Sequence, residues 1–303
     1  TGTFYTNADA NWPSGSSGIP NGWTRVNTGA PAVDDITKPL TFRATQDASS
    51  VRITAKGSPD GTFQTSRDGG NTWEDYTIGT YITLDTYDEV SFRAKADRTS
   101  GQTSKNHFYF MMEGKIEAWH NVMSLYRTND FATYDTTIRS AFYHLFDACG
   151  SLTKAPVLPA TTLGERCYSN MFLDCTSLTK APVLSATTLA PYCYQNMFKR
   201  CTSLTKAPAL PATTLATSCY FGMFYGCSSL NEVRCLMPPT ISAEDIPTYT
   251  GTGVDAWLYG VSSTGTFYTN ADANWPSGSS GIPTGWTRVN EVAKDDITKP
   301  LTF

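Results

Sequence analysis

The chain has 303 residues and carries 23 Lys and Arg against 27 Asp and Glu, a net charge of −4. No cationic excess is available to neutralise a phosphate backbone, which sets nucleic-acid binding aside. Charged residues at 17% and aromatics at 13% describe a folded, β-rich chain of about two domains. No apolar run approaches the ~20 residues of a membrane span, and three histidines leave little for His-based catalysis or metal binding.

The first element is a copy. Residues 1–20 recur letter for letter at 264–283, 22–27 at 285–290 and 34–42 at 295–303, 35 identical positions in all. Only Asn21 against Thr284 and a short linker differ, TGAPAV against EVAK. A chain that ends by restarting its own beginning reads as a window cut from a tandem array. The start at Thr1, without Met or a visible leader, agrees with a fragment. Residues 1–33 are therefore expected to be a cap and linker copied from a preceding unit. Asn7, Asp9 and Asn11 have the alternate spacing of a calcium loop, but Trp12 and Gly18 stand where its Gly and Glu belong, so a turn is expected there.

Residues 34–125 alternate polar and apolar in short runs: VRITAK from Val51, TFQTSRD from Thr62, YITLD from Tyr81 and VSFRAKA from Val90. Turn residues punctuate them, which predicts an antiparallel Ig-like β-sandwich. Ser66, Asp68, Gly70, Thr72 and Trp73 fit S-x-D-x-G-x-T-W, a pattern that resembles the Asp-box of sialidases and other propeller proteins. In that family it is a hairpin-stabilising turn. With one copy and no arginine cluster, a structural role is expected here as well. Glu117 and His120 have metal-ligand spacing only on a helix. Residues 107–125 read as strands leading into the next region, which separates the two side chains.

Residues 126–263 hold the second repeat, with a 26-residue period. The unit is SLTKAPVLPATTLGERCYSNMFLDC from Ser151, repeated from Ser177, Ser203 and, in part, Ser229. Leu189, Cys193, Tyr194, Met197, Phe198 and Cys201 are spaced as one apolar face of a helix. The first half of each unit is extended, since Pro182 and its equivalents forbid helix. A fainter copy of the apolar face begins at Ala141. One short strand and one short helix per unit is leucine-rich-repeat arithmetic. The expectation is therefore an α+β fold, with the sandwich followed by a short solenoid of helices on one side and strands on the other.

These residues carry a resemblance. The unit SLTKAPxLPATTLxxxCYxxMFxxC resembles the BspA-like leucine-rich repeats of cell-surface proteins of gut Bacteroidales and of their prophages. The stretch from Asp255 to Val289 is similar to the segment that ends such solenoids. The resemblance implies extracellular display and an adhesive or binding role for one unit of a tandem array, without supplying a ligand.

Cys149, Cys175, Cys201 and Cys227 form one series and Cys167, Cys193 and Cys219 another. On neighbouring helices their equivalents would lie about 9–10 Å apart, beyond the ~7 Å limit of a disulfide. All are expected to be core thiols, as is Cys235, which aligns with Val157, Val183 and Ala209 at an inward strand position. Lys154, Lys180 and Lys206 repeat at one position, each after Thr153, Thr179 or Thr205, and Glu232 and Arg234 break the stripe in the fourth copy. On a leucine-rich solenoid this stripe would face outward on the concave sheet, a candidate binding surface. Residues 264–290 are expected to cap the solenoid and 291–303 to start the next sandwich. No catalytic residue, metal site or cofactor is expected. The partners expected are neighbouring units of the same protein and a surface protein or glycan. A prophage receptor-binding module and, more remotely, a glycan-processing domain are the alternatives.

Overall fold

The computed structural model describes residues 34–59, 61–133, 135, 137–212, 214–235, 257–270, 275, 277–278 and 281–291, together with the strands at 3–6 and 24–27. The Asn7, Asp9 and Asn11 turn and residues 292–303 lie outside the described residues. The fold is β-rich. Its strands are β1 (Thr3–Thr6), β2 (Thr24–Asn27), β3 (Leu40–Ala44), β4 (Ser49–Lys56), β5 (Phe63–Ser66), β6 (Glu74–Tyr76) and β7 (Ile82–Leu84). β8 (Glu89–Ala94), β9 (His107–Glu113), β10 (Ile116–Trp119), β11 (Leu152–Lys154), β12 (Glu232–Cys235), β13 (Gly265–Asn270) and β14 (Trp286–Glu291) follow.

The region from Asp34 forms two antiparallel layers. One has the order β10-β3-β8-β5-β6 and continues through β11; the other is β7-β4-β9. Phe42 meets Phe110 at 4.6 Å, Phe63 meets Phe108 at 4.8 Å and Phe92 meets Phe110 at 5.3 Å, so rings from both layers interdigitate. β10 pairs antiparallel with β3 on one side and parallel with β11 on the other, Ile116 opposite Leu152. The first layer and the first 26-residue coil thus share one sheet.

From β11 the chain climbs in coils. Parallel bridges join Lys154 to Lys180, Leu158 to Leu184, Thr162 to Thr188 and Thr188 to Thr214, and the ladder ends in β12, β13 and β14. The predicted helices are absent: the one helical segment among the described residues is a 3-10 turn, Val122–Leu125. Each apolar stretch is instead a ribbon of overlapping turns. Every second amide bonds back three residues, as Ser169 N–H does to the Arg166 carbonyl and Met171 N–H to that of Tyr168. The amides between them donate to the next coil: Tyr168 to the Cys193 carbonyl, Asn170 to Gln195 and Phe172 to Met197. All of these ribbon amides are thereby satisfied without a helix. The geometry requires a left-handed residue at every fourth position: Arg166, Asn170 and Asp174 in one coil, Tyr192, Asn196 and Arg200 in the next, then Ser218 with Gly222 and Gly226. Asn, Asp and Gly are the residues that enter this region at least cost.

Stacking follows from the ribbon. Phe110, Phe146, Phe172, Phe198 and Phe224 form one column at 5.4–5.6 Å between ring centroids. Tyr168, Tyr194 and Tyr220 form a second at 5.8–6.0 Å. Both columns end on Trp257, which lies 6.1 Å from Phe224 and 6.4 Å from Tyr220. The rings on the turn side therefore repeat at a spacing wider than the ~4.8 Å usual between neighbouring strands.

The same spacing corrects the cysteine argument. Coils about 5.5 Å apart do not by distance forbid a disulfide, yet all eight cysteines are free and buried. Each thiol of the 149 series donates to a carbonyl of the preceding coil: Cys149 to Phe110, Cys175 to Phe146 and Cys201 to Phe172 at 3.1 Å, and Cys227 to Phe198 at 2.9 Å. Burial pushes the thiols of Cys149, Cys167, Cys175, Cys193 and Cys201 up, and that of Cys227 up to about 12. The native chain should then be inert to a thiol reagent, since the thiolate is the reactive form. Unfolding without reductant should release eight reactive thiols; a count below eight would contradict the ladder. Cys235 is buried but pairs with Leu210, one residue away from the expected register. The column Val157, Val183 and Ala209 consequently does not point inward, and Val183 is 77% exposed.

Candidate functional site

The lysine stripe is the surface feature that the sequence singles out, and the structure accounts for its charges one at a time. Lys154 lies over the Trp119 ring at 3.6 Å and pairs with Asp34 at 2.9 Å, where burial lowers its pKa against the opposing pull of Asp34. Its neighbour Thr153 donates to the Ile116 carbonyl at 3.1 Å. Lys206 pairs with Glu232 at 2.8 Å, which raises its pKa. The Arg234 guanidinium covers Tyr268 at 5.3 Å. Thr179 bonds back to the Thr153 carbonyl at 3.3 Å and Thr205 is exposed. Lys180 is exposed and forms no ion pair among the described residues. The stripe thus presents one uncompensated cation beside the apolar strip of Val157, Val183 and Ala209, and it lacks the field of a polyanion-binding surface.

The hairpin β5–β6 carries the Asp-box, and its side chains are spent on the turn. Asp68 accepts from the Ser66 hydroxyl at 2.7 Å, from the amides of Asn71 at 3.0 Å and Thr72 at 2.9 Å, and from the Thr72 hydroxyl at 2.7 Å. The Gly70 amide donates to Ser66 Oγ at 2.8 Å and the Trp73 indole N–H to the Gly70 carbonyl at 2.9 Å, with Arg93 over the indole ring at 4.2 Å. The Ser66 hydroxyl and then the Thr72 groups hold the Asp68 carboxyl well below the usual carboxylate range. A carboxyl depressed in the folded state contributes stability above its unfolded pKa of about 3.9, and that contribution is lost as pH falls below it. The melting temperature of the wild type should therefore fall more steeply between about pH 5 and pH 2 than that of Asp68→Asn. Parallel curves would show that the turn does not depend on this charge.

A cleft that the sequence did not reveal lies where residues 102–104 cross the first coil. Gln102, Thr103, Ser104, Arg139, Ser140, Tyr143 and Arg166 line about 250 Å³. Gln102 fixes its floor, donating to the carbonyls of Ala141 at 3.1 Å and Tyr143 at 3.2 Å while accepting from the Phe108 amide at 2.6 Å. Both arginines are engaged by Glu165, at 2.9 Å from Arg139 and 3.4 Å from Arg166. Its walls hold the hydroxyls of Thr103, Ser104, Ser140 and Tyr143 beside the two guanidiniums. His120 accepts from the Asp35 amide at 3.1 Å and Glu117 accepts from the Trp119 indole at 3.0 Å, so the two turn to different partners. No group of three His, Cys, Asp or Glu side chains among the described residues could hold a metal ion.

No protein-family model matches the chain, and no curated protein and no solved structure matches it. No helix among the described residues is long and apolar enough to cross a membrane.

Proposed function

We propose that the chain is a repeating structural and adhesive unit of an extracellular surface or fibre protein, in which an Ig-like β-sandwich, a leucine-rich-repeat type solenoid and a cap form one bead. The observation that carries this reading is the duplication of the ends in sequence and in pairing. β1 pairs parallel with β2, Thr3 opposite Thr24 and Thr6 opposite Asn27. β13 pairs parallel with β14 in the same register, Thr266 opposite Thr287 and Thr269 opposite Asn290. The ladder from the first layer through the coils to β14 supports a stiff spacer, and the column of rings along its core supports the same stiffness. The extracellular setting rests on the resemblance to BspA-like surface proteins, and full burial of the thiols suits it, because it shields them from oxidants. Adhesion would use the lateral surfaces of the bead, the exposed face with Lys180 and Val183 among them.

Residues 295–303 repeat 34–42, so a second unit can be joined with no foreign linker by continuing residue 303 with residue 43. Small-angle scattering of that two-unit chain should give a single elongated particle with close to twice the single-unit length. A broad distribution of interbead angles would contradict the spacer reading.

A further inference from the structure

The two copies of the cap differ in one respect. β13 lies between β14 and β12, with Glu232 opposite Thr266 and Arg234 opposite Tyr268, whereas among the described residues β1 pairs with β2 alone. Thr3, Phe4, Tyr5 and Thr6 are the sequence equivalents of Thr266, Phe267, Tyr268 and Thr269. In the second copy Phe267 and Thr269 are buried, Trp275 donates to Thr269 at 2.8 Å and meets Trp257 at 5.7 Å, and the Thr266 amide donates to the Asn231 carbonyl at 2.8 Å. Trp12 and Trp23 repeat Trp275 and Trp286, so the first copy encodes the same docking segment.

We infer that β1 is a docking strand for β12 of a second copy of this chain, in exchange for that copy's own β13. The inference rests on the repeating-unit reading and names the partner of the capped end. The strands exchanged are identical, so their contacts cancel, and the balance is set by concentration. A tethered cap competes at an effective concentration of about millimolar. The intact chain at micromolar concentration stays closed on its own cap, and a chain whose own cap strand is disabled takes the N-terminal strand of its neighbour. The contact is head-to-tail, so it links copies in series, as a ring where the rotation between them closes and as an open chain where it does not.

The test uses the full chain with Thr266→Pro and Phe267→Asp, which removes the amide donor and the buried ring of the resident strand. Sedimentation from about 1 to about 100 µM, well below the tether's effective concentration, should show average mass rising at least about twofold, and adding Phe4→Asp should return it to the monomer. A monomer across that range, or association that ignores Phe4→Asp, would overturn the inference. A second measurement avoids reliance on the folding of that variant. Tyr5→Cys and Arg234→Cys are placed in separate preparations of the otherwise intact chain, mixed and oxidised. In the exchanged register these positions face each other across neighbouring strands, about 5 Å apart and within disulfide reach. A cross-linked heterodimer that accumulates with time is expected; its absence would overturn the exchange. A stiff two-unit chain without exchange would leave the spacer standing and remove only this partner. A floppy two-unit chain with exchange would do the reverse.

Discussion

Phe172→Ala should destabilise the chain by about 3–5 kcal/mol, the range for truncating a buried aromatic. Phe172 has no exposed surface and is stacked face to face, 5.4 Å from Phe146 and 5.6 Å from Phe198, with interplanar angles of 7° and 2°. Neighbouring rings have little freedom to collapse into the hole, because their positions are set by backbone bonds running between coils on both sides. The Phe172 amide donates to the Met197 carbonyl at 2.9 Å and the Phe146 amide to that of Met171 at 2.9 Å. The cavity should therefore persist, which places the cost toward the upper end of the range. Denaturant unfolding of the variant measures it. A loss below about 1 kcal/mol, the size of a surface effect, would mean that the column is not a packed spine.

Trp257→Ala should cost a similar amount, about 3–5 kcal/mol, but with a different distribution along the chain. Trp257 is 1% exposed, ends both aromatic columns and receives Phe267 at 6.2 Å and Trp275 at 5.7 Å from the cap. Its carbonyl accepts the Phe224 amide at 2.9 Å, and that of Tyr259 accepts the Gly226 amide at 2.7 Å. Removing the ring should loosen the last coil with β13 and β14 first, while β4 and β9, far down the stack, keep their protection. Hydrogen exchange should show early loss at the Phe224 and Gly226 amides. Equal loss at the amides of β4 would show that the stack unfolds only as a whole.

The part of the fold that was legible in the sequence was the part fixed by repetition. The 26-residue period placed the rings, Met and Cys of each coil in the core, and alternation marked β4, β5, β7 and β8. β3 was not marked as a strand in its own right, although Leu40, Thr41, Phe42, Arg43 and Ala44 alternate apolar and polar; the structure buries all five, Thr41 and Arg43 included. The helix expectation failed for a geometric reason. Apolar positions at i, i+1, i+4, i+5 and i+8 fit a period of 4.0 as well as 3.6 over so few residues. The discriminating signal lay outside the apolar face, in Asn170 and Asp174, Asn196, and Gly222 and Gly226, polar or Gly residues recurring at left-handed positions. The lysine column was legible as a column, but its charge state was not: Asp34 lies 120 residues from Lys154, and only the fold brings them together. The cleft at Gln102 was invisible for the same reason, since its walls come from a loop and two successive coils.

The coil spacing of about 5.5 Å and the stiffness proposed for the bead both depend on turn ribbons standing where helices were expected. Ala148 tests this most directly, because it is exposed and sits at φ 58°. A left-handed alanine costs about 1–2 kcal/mol, and glycine relieves that cost while giving back about 0.5–1 kcal/mol of unfolded-state entropy. Ala148→Gly is therefore predicted to raise the stability to unfolding by roughly 0.5–1 kcal/mol, whereas in a helix the same change would lower it by about 1 kcal/mol. A gain in the denaturation midpoint is the result expected, and a loss would contradict the ribbon.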